Sequence, residues 1–129
     1  MPLSSPPRVV IVDADRRVQQ SLSELLRVTG QIEVAGCAGE VRAALELIEQ
    51  SRPDAVLVDP RLPDVDAGAA LINGIHRAWP GTRVILTGWA DAPGGSSLSD
   101  AENCYVSKDG APEDFVAAIV EACGEPSIG

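Results

Sequence analysis

The chain is 129 residues long, 45% hydrophobic and 22% charged, with ten Lys and Arg against 19 Asp and Glu for a net charge of −9. One domain of that length buries roughly two thirds of its unfolded surface, enough for a packed core. No apolar run approaches the ~20 residues of a membrane span, and an acidic surface works against duplex binding, which rests on phosphate neutralisation. Neither a membrane nor nucleic acid is therefore an expected partner of this domain.

The opening "MPLSSPP" (1–7) has neither the basic region nor the apolar core of a signal peptide, and reads as the disordered lead-in of a cytoplasmic protein. "RVVIVD" (8–13) is a short continuous apolar run, the mark of a strand buried on both faces. From Asp15 onward Val18, Leu22, Leu25 and Leu26 fall on one helical face, with Asp15 a natural cap and Gly30 a natural stop. A second strand, "IEVAGCA" (32–38), precedes a helix with Val41, Ala44, Leu45 and Ile48 on its inner face, ending before Pro53.

"DAVLVD" (54–59) is a third buried strand that again finishes on an aspartate. Leu71, Ile75 and Ala78 stripe a third helix, closed by "WPG" (79–81), and "TRVILT" (82–87) is a fourth strand. The next segment, "ADAPGGSSLSDA" (90–101), has a proline, adjacent glycines and Leu98 as its one large apolar residue, so the helix expected there is degraded or missing. "CYVSK" (104–108) is a fifth strand, and Pro112 opens a last helix whose face is Phe115, Ala118, Ile119 and Ala122. Residues 124–129 form a tail, leaving 8–123 as the domain. Alternating strand and helix with right-handed crossovers predict a doubly wound, five-stranded parallel sheet.

Cys37, Cys104 and Cys123 are odd in number with no C-x-x-C, and their apolar or amphipathic settings predict buried, reduced thiols. His76 has no Cys or His partner at helical spacing and is not an expected metal ligand.

Ligands of such sheets collect at the carboxyl ends of the strands. Asp13, Asp59, Thr87 and Lys108 end four of them, which places two carboxylates, a hydroxyl and an ammonium at one edge. Two carboxylates attract a hard cation such as Mg²⁺; a cation, a lysine and a hydroxyl can hold a phosphoryl group while a carboxylate attacks phosphorus. Taken singly the residues have plainer readings: Asp59 as a turn former in "DPRLPD", Thr87 as a strand threonine, Lys108 as a surface lysine. Together at one edge they point to a site. The turn "DADRR" (13–17) has no glycine and so no dinucleotide fingerprint, no Walker A motif occurs, and "GGSSLS" is not a nucleophile elbow.

These segments resemble bacterial two-component response-regulator receiver domains. "RVVIVDADRRVQQSLSELL" is similar to that family's opening strand and helix, "PDAVLVDPRLPDVDA" to its phosphoacceptor segment, "VILTGW" to its threonine segment and "CYVSKDGAPEDFVAAI" to its lysine segment, in the family's order over 8–123. The resemblance implies the flavodoxin-like (βα)5 fold with strand order 2-1-3-4-5. It makes Asp59 the phosphoacceptor, Thr87 and Lys108 the phosphoryl-binding groups, and Thr87 with Tyr105 the switch pair. It assigns Mg²⁺ to Asp13, Asp59 and the main-chain carbonyl of Arg61, and site access to Arg61, Gly88 and Trp89. The implied partners are a sensor histidine kinase or phosphotransfer protein, a second copy of the chain as a homodimer, and a DNA-binding output domain outside this chain. Lys108-Asp109 looks most like receivers that precede helix-turn-helix domains.

Two departures stand out. Receivers usually carry two adjacent acids where this chain has Asp13-Ala14, so the Mg²⁺ site is weakened, and Asp15 is better suited to capping than to replacing the lost ligand. The unhelical 90–101 segment falls on the family's output face. Both favour an atypical receiver: a phosphorylatable signalling module rather than a metabolic enzyme, with a phosphorylation-independent interaction module as the alternative. A remote reading, a haloacid-dehalogenase-like phosphatase using Asp13 and Asp15, leaves Asp59 unexplained and meets Arg16 and Arg17 where small or hydroxyl residues are usual.

Overall fold

The computed structural model describes residues 6–59, 65–88, 104–107 and 111–123. The elements run β1 (Arg8–Val12), α1 (Arg16–Thr29), β2 (Glu33–Ala38), α2 (Val41–Ser51), β3 (Ala55–Val58), α3 (Val65–Ala78), β4 (Arg83–Gly88), β5 (Cys104–Ser107) and α4 (Pro112–Cys123). The five strands form one sheet, all pairs parallel, in the order β2-β1-β3-β4-β5. The segment 90–101, expected to lack a helix, lies outside the described residues, as do the tails 1–5 and 124–129.

Alternation along each strand divides the core into two layers. Val10, Val12, Val56, Val58, Val84 and Leu86 meet Ala44 and Ile48 of α2 and Leu71, Ile72 and Ile75 of α3. Val9, Ile11, Ala55, Leu57, Ile85 and Val106 meet Val18, Leu22 and Leu26 of α1 and Phe115 and Ile119 of α4. Helices thus cover both faces, which is why β1, β3 and β4 read as unbroken apolar runs. Each fully buried Val, Leu or Ile contributes about 1.5–3 kcal/mol.

The edge of the sheet opposite the strand-end acids is stapled. The Asp54 Oδ2 atom accepts from the Arg8 N–H at 2.8 Å, while the Asp54 N–H donates to the Arg8 carbonyl at 2.8 Å and its carbonyl accepts from the Arg83 N–H at 2.9 Å. The Arg8 guanidinium reaches the Ser51 carbonyl at 2.6 Å, and the buried Thr82 hydroxyl donates to the Pro53 carbonyl at 3.1 Å. These bonds hold β1, β3 and β4 in one register from their first residues.

Two sequence expectations are corrected. Ala78 is exposed, and Ile72 takes its place in the core. α3 ends at Ala78, the backbone N–H of Trp79 donates to the Ile75 carbonyl at 2.8 Å, and the Trp79 side chain packs against the cluster instead. Cys37 is exposed rather than buried because β2 is an edge strand; the side chains of Cys104 and Cys123 lie outside the described set. Partial burial still pushes the Cys37 thiol above its ordinary pKa, opposed by the positive charge of Arg27.

The helix ends show the local chemistry plainly. Gly30 closes α1 in the left-handed region at φ 71°, its N–H bonded to the Arg27 carbonyl at 3.0 Å. Arg52 closes α2 in the same region at φ 47°, where a Cβ is unfavourable. A Cβ built on Gly30 meets nothing within 4 Å, so Gly30→Ala isolates the conformational penalty. Urea denaturation is expected to show a loss of about 1 kcal/mol for Gly30→Ala at unchanged m, and a gain of up to about 1 kcal/mol for Arg52→Gly.

Candidate functional site

The strand-end acids are brought together by register. Val12 pairs with Val58, and Val58 pairs with Leu86, so the next residue of each strand, Asp13, Asp59 and Thr87, forms a row across three neighbouring strands. The Asp59 N–H donates to the Val12 carbonyl at 3.1 Å, and the Asp13 N–H to the Ala38 carbonyl at 3.0 Å, carrying the ladder one step past the last paired residues. Asp13 is 2% exposed and Thr87 1%, whereas Asp59 is half-buried. Two carboxylates and a hydroxyl therefore end three neighbouring strands, with Asp13 and Asp59 on either side of the point where the strand order reverses, between β1 and β3.

β5 extends the row. Thr87 pairs with Val106 and Gly88 with Ser107, and Tyr105 is placed by its backbone beside Leu86. Gly88 is the buried last residue of β4. Lys108, one residue beyond Ser107, lies outside the described residues, as do Arg61 and Trp89.

The turn from β1 into α1 gives each of its residues a separate task. Asp13 Oδ1 accepts the Asp15 N–H at 2.9 Å, closing an Asx turn. Ala14 is exposed at the apex. Asp15 caps α1, Oδ1 accepting from the Arg17 N–H at 2.9 Å, and its negative charge offsets Arg16 and Arg17 at the positive end of the helix dipole.

One functional neighbour escapes sequence reasoning. Gln19, half-buried in the second turn of α1, donates from Nε2 to the Asp13 carbonyl at 2.6 Å. A Cβ built on Gly39 would lie 3.2 Å from that Nε2 and 3.5 Å from the Asp13 carbonyl oxygen. The faint sequence signal is a polar residue directly beside the apolar stripe at Val18 and Leu22.

Oxygen-rich side chains of this kind suit a hard divalent ion, and Asp13 and Asp59 supply two such donors. Among the described residues no group of three His, Cys, Asp or Glu side chains converges on one point. No helix of the described residues is long and apolar enough to cross a membrane.

Fold and strand-end row define a doubly wound α/β domain whose strand-end acids Asp13 and Asp59 flank the switch point. The family model for the response regulator receiver domain matches residues 9–120. The transcriptional regulatory protein YhcZ of Bacillus subtilis is 32% identical over 111 residues, covering 84% of this chain and 51% of YhcZ. A protein-glutamate methylesterase/protein-glutamine glutaminase of Xanthomonas oryzae pv. oryzae is 34% identical over 87 residues, covering 67% of this chain and 24% of that enzyme. The signal receiver domain of NarL from Mycobacterium tuberculosis superposes with a TM-score of 0.73 at 29% identity, over 91% of this chain and 95% of that one.

This chain belongs to the response regulator receiver domain family. It spans about half the length of YhcZ and about a quarter of the methylesterase.

The Asp15 cap is open to direct test. Asp15→Ala is expected to cost about 1 kcal/mol in thermal or urea denaturation and Asp15→Ser only a few tenths, because serine restores the cap acceptor. Equal losses in the two variants would show that the carboxylate serves something other than the helix end.

Proposed function

We infer that the domain receives a phosphoryl group on Asp59 within a two-component signalling system. The observation that carries this reading is the row Asp13, Asp59 and Thr87 across the ends of β1, β3 and β4. An Asp59 oxygen attacks the phosphorus of a phosphohistidine on a sensor histidine kinase or phosphotransfer protein. The P–N bond breaks as the acyl P–O bond forms, and the departing imidazole keeps the electron pair and takes up a proton.

Thr87 and Lys108 hold the phosphoryl oxygens, and Thr87 with Tyr105 passes the change on. Arg61, Gly88 and Trp89 set access, the lack of a side chain at Gly88 keeping the pocket open. Asp13, Asp59 and the Arg61 carbonyl would hold Mg²⁺, which when bound neutralises phosphoryl charge. The exposed methyl of Ala14 contributes no ligand, so affinity falls by at least the ~10–100-fold associated with losing an outer partner.

YhcZ is a transcriptional regulator about half of which this chain spans, which supports a DNA-binding output domain outside the chain and a cytoplasmic, non-enzymatic receiver. A second copy of the chain is a further partner of the proposed regulator. The phosphatase reading falls away: Asp15, its general acid, is committed to the helix cap, and the family match is to receivers. Signalling without phosphate remains the second reading, favoured by Ala14 at the turn apex.

Treatment with Mg²⁺ and a small phosphodonor, followed by intact mass, is expected to add one phosphoryl group to the wild type and none to Asp59→Asn. Ala14→Asp is expected to lower the Mg²⁺ concentration needed by about 10-fold or more. Label persisting in Asp59→Asn overturns the acceptor assignment, and an unlabelled wild type with an intact fold favours the phosphate-independent reading.

A further inference from the structure

We propose that Gln19 is a positioning residue for the Asp13 carboxylate, held in that role by the missing side chain at Gly39. This rests on the receiver reading above, since Asp13 is there the one carboxylate that the β1–α1 turn offers to the cation.

At the end of β1 the Asp13 N–H makes the last step of the ladder to β2, donating to the Ala38 carbonyl at 3.0 Å. There the backbone of β2 turns through Gly39 into α2, whose N-cap is Glu40. In α1 the Gln19 N–H donates to the Asp15 carbonyl at 3.0 Å. The Gln19 side-chain amide spans six residues and donates to the Asp13 carbonyl at 2.6 Å.

The bond fixes the plane of the Asp13–Ala14 peptide. Two atoms further on, the Asp15 N–H must meet Asp13 Oδ1 at 2.9 Å, so peptide plane and carboxylate are coupled through one small ring. Loosening the carbonyl loosens the carboxylate. A complete acidic pair shares the metal between two side chains and tolerates play in one; Ala14 removes that tolerance.

Gly39 supplies an independent observation. Its backbone shows no positive φ, so a side chain there is conformationally allowed. What a Cβ would meet is the Gln19 Nε2 at 3.2 Å, the far end of a flexible side chain that would have to give by a few tenths of an ångström at its acceptor. Glycine at 39 therefore keeps room for the lock rather than serving the turn.

Gln19→Met keeps most of the side-chain volume and deletes the donor, whereas Gly39→Ala crowds the donor with Gln19 intact. Two measurements on the full chain decide the proposal: hydrogen exchange of the Asp15 amide, and Mg²⁺ titration followed by NMR shifts of the Asp13 and Asp59 amides. Each variant is expected to lower Asp15 protection several-fold and weaken Mg²⁺ binding about 10-fold, with exchange of the sheet core unchanged. The double variant is expected to match the singles rather than multiply them, because both act on one bond.

Asp15 protection equal to wild type in both single variants overturns the proposal, as does multiplicative loss in the double. A wild type whose Asp13 and Asp59 amides never respond to Mg²⁺ counts against the metal part of the receiver reading; the Asp15 amide then decides the positioning role by itself.

Discussion

The register of three parallel strands buried on both faces is the constraint on which the site depends. β1, β3 and β4 alternate their side chains between two helical layers, so a slip of one residue in any of them would send every Val and Leu to the wrong layer. With apolar groups filling both sides, no partially solvated compromise exists. Asp54 holds the opposite edge of the same strands through bonds to Arg8 and Arg83. The row of Asp13, Asp59 and Thr87 is what that register leaves at the other end.

The short turn after β1 shows how closely a helix start and a polar site can be combined. Asp13 supplies the buried acid and the acceptor for the turn, Ala14 bridges, and Asp15 is consumed by the cap. With Arg16 and Arg17 in the first turn, α1 begins with positive charge where its dipole is already positive, and no acid lies in that turn to offset them. Asp15 answers that conflict through its cap on the Arg17 N–H.

The relatives show the same domain joined to different chemistry, a transcriptional regulator in one case and a methylesterase in another. That fits a scaffold whose site is built from strand ends of its own sheet. Receiving and output are separable when the geometry of the first needs no residue from the second.

Much of this was legible in the sequence because it depends on local periodicity. Runs such as "DAVLVD" announce buried strands, Asp15 and Gly30 mark the limits of α1, and Asp13 and Asp59 stand where apolar runs stop. Such features follow from the conformational preferences of neighbouring residues and needed no knowledge of what packs against them. Position in the sheet was another matter. Cys37 sits in an apolar-looking strand, yet it is exposed because β2 lies at the edge. Ala78 fits the helical stripe of α3, yet Trp79 covers the core in its stead because the helix has ended. The contact between Gln19 and the Asp13 carbonyl, with Gly39 leaving space for it, joins three elements and leaves no periodic trace. The sequence by itself determined which segments are strands and helices and which residues end them, since those are local energies. Only the tertiary structure decided which strand ends are neighbours and which side chains reach across, since burial and register are properties of the assembled sheet.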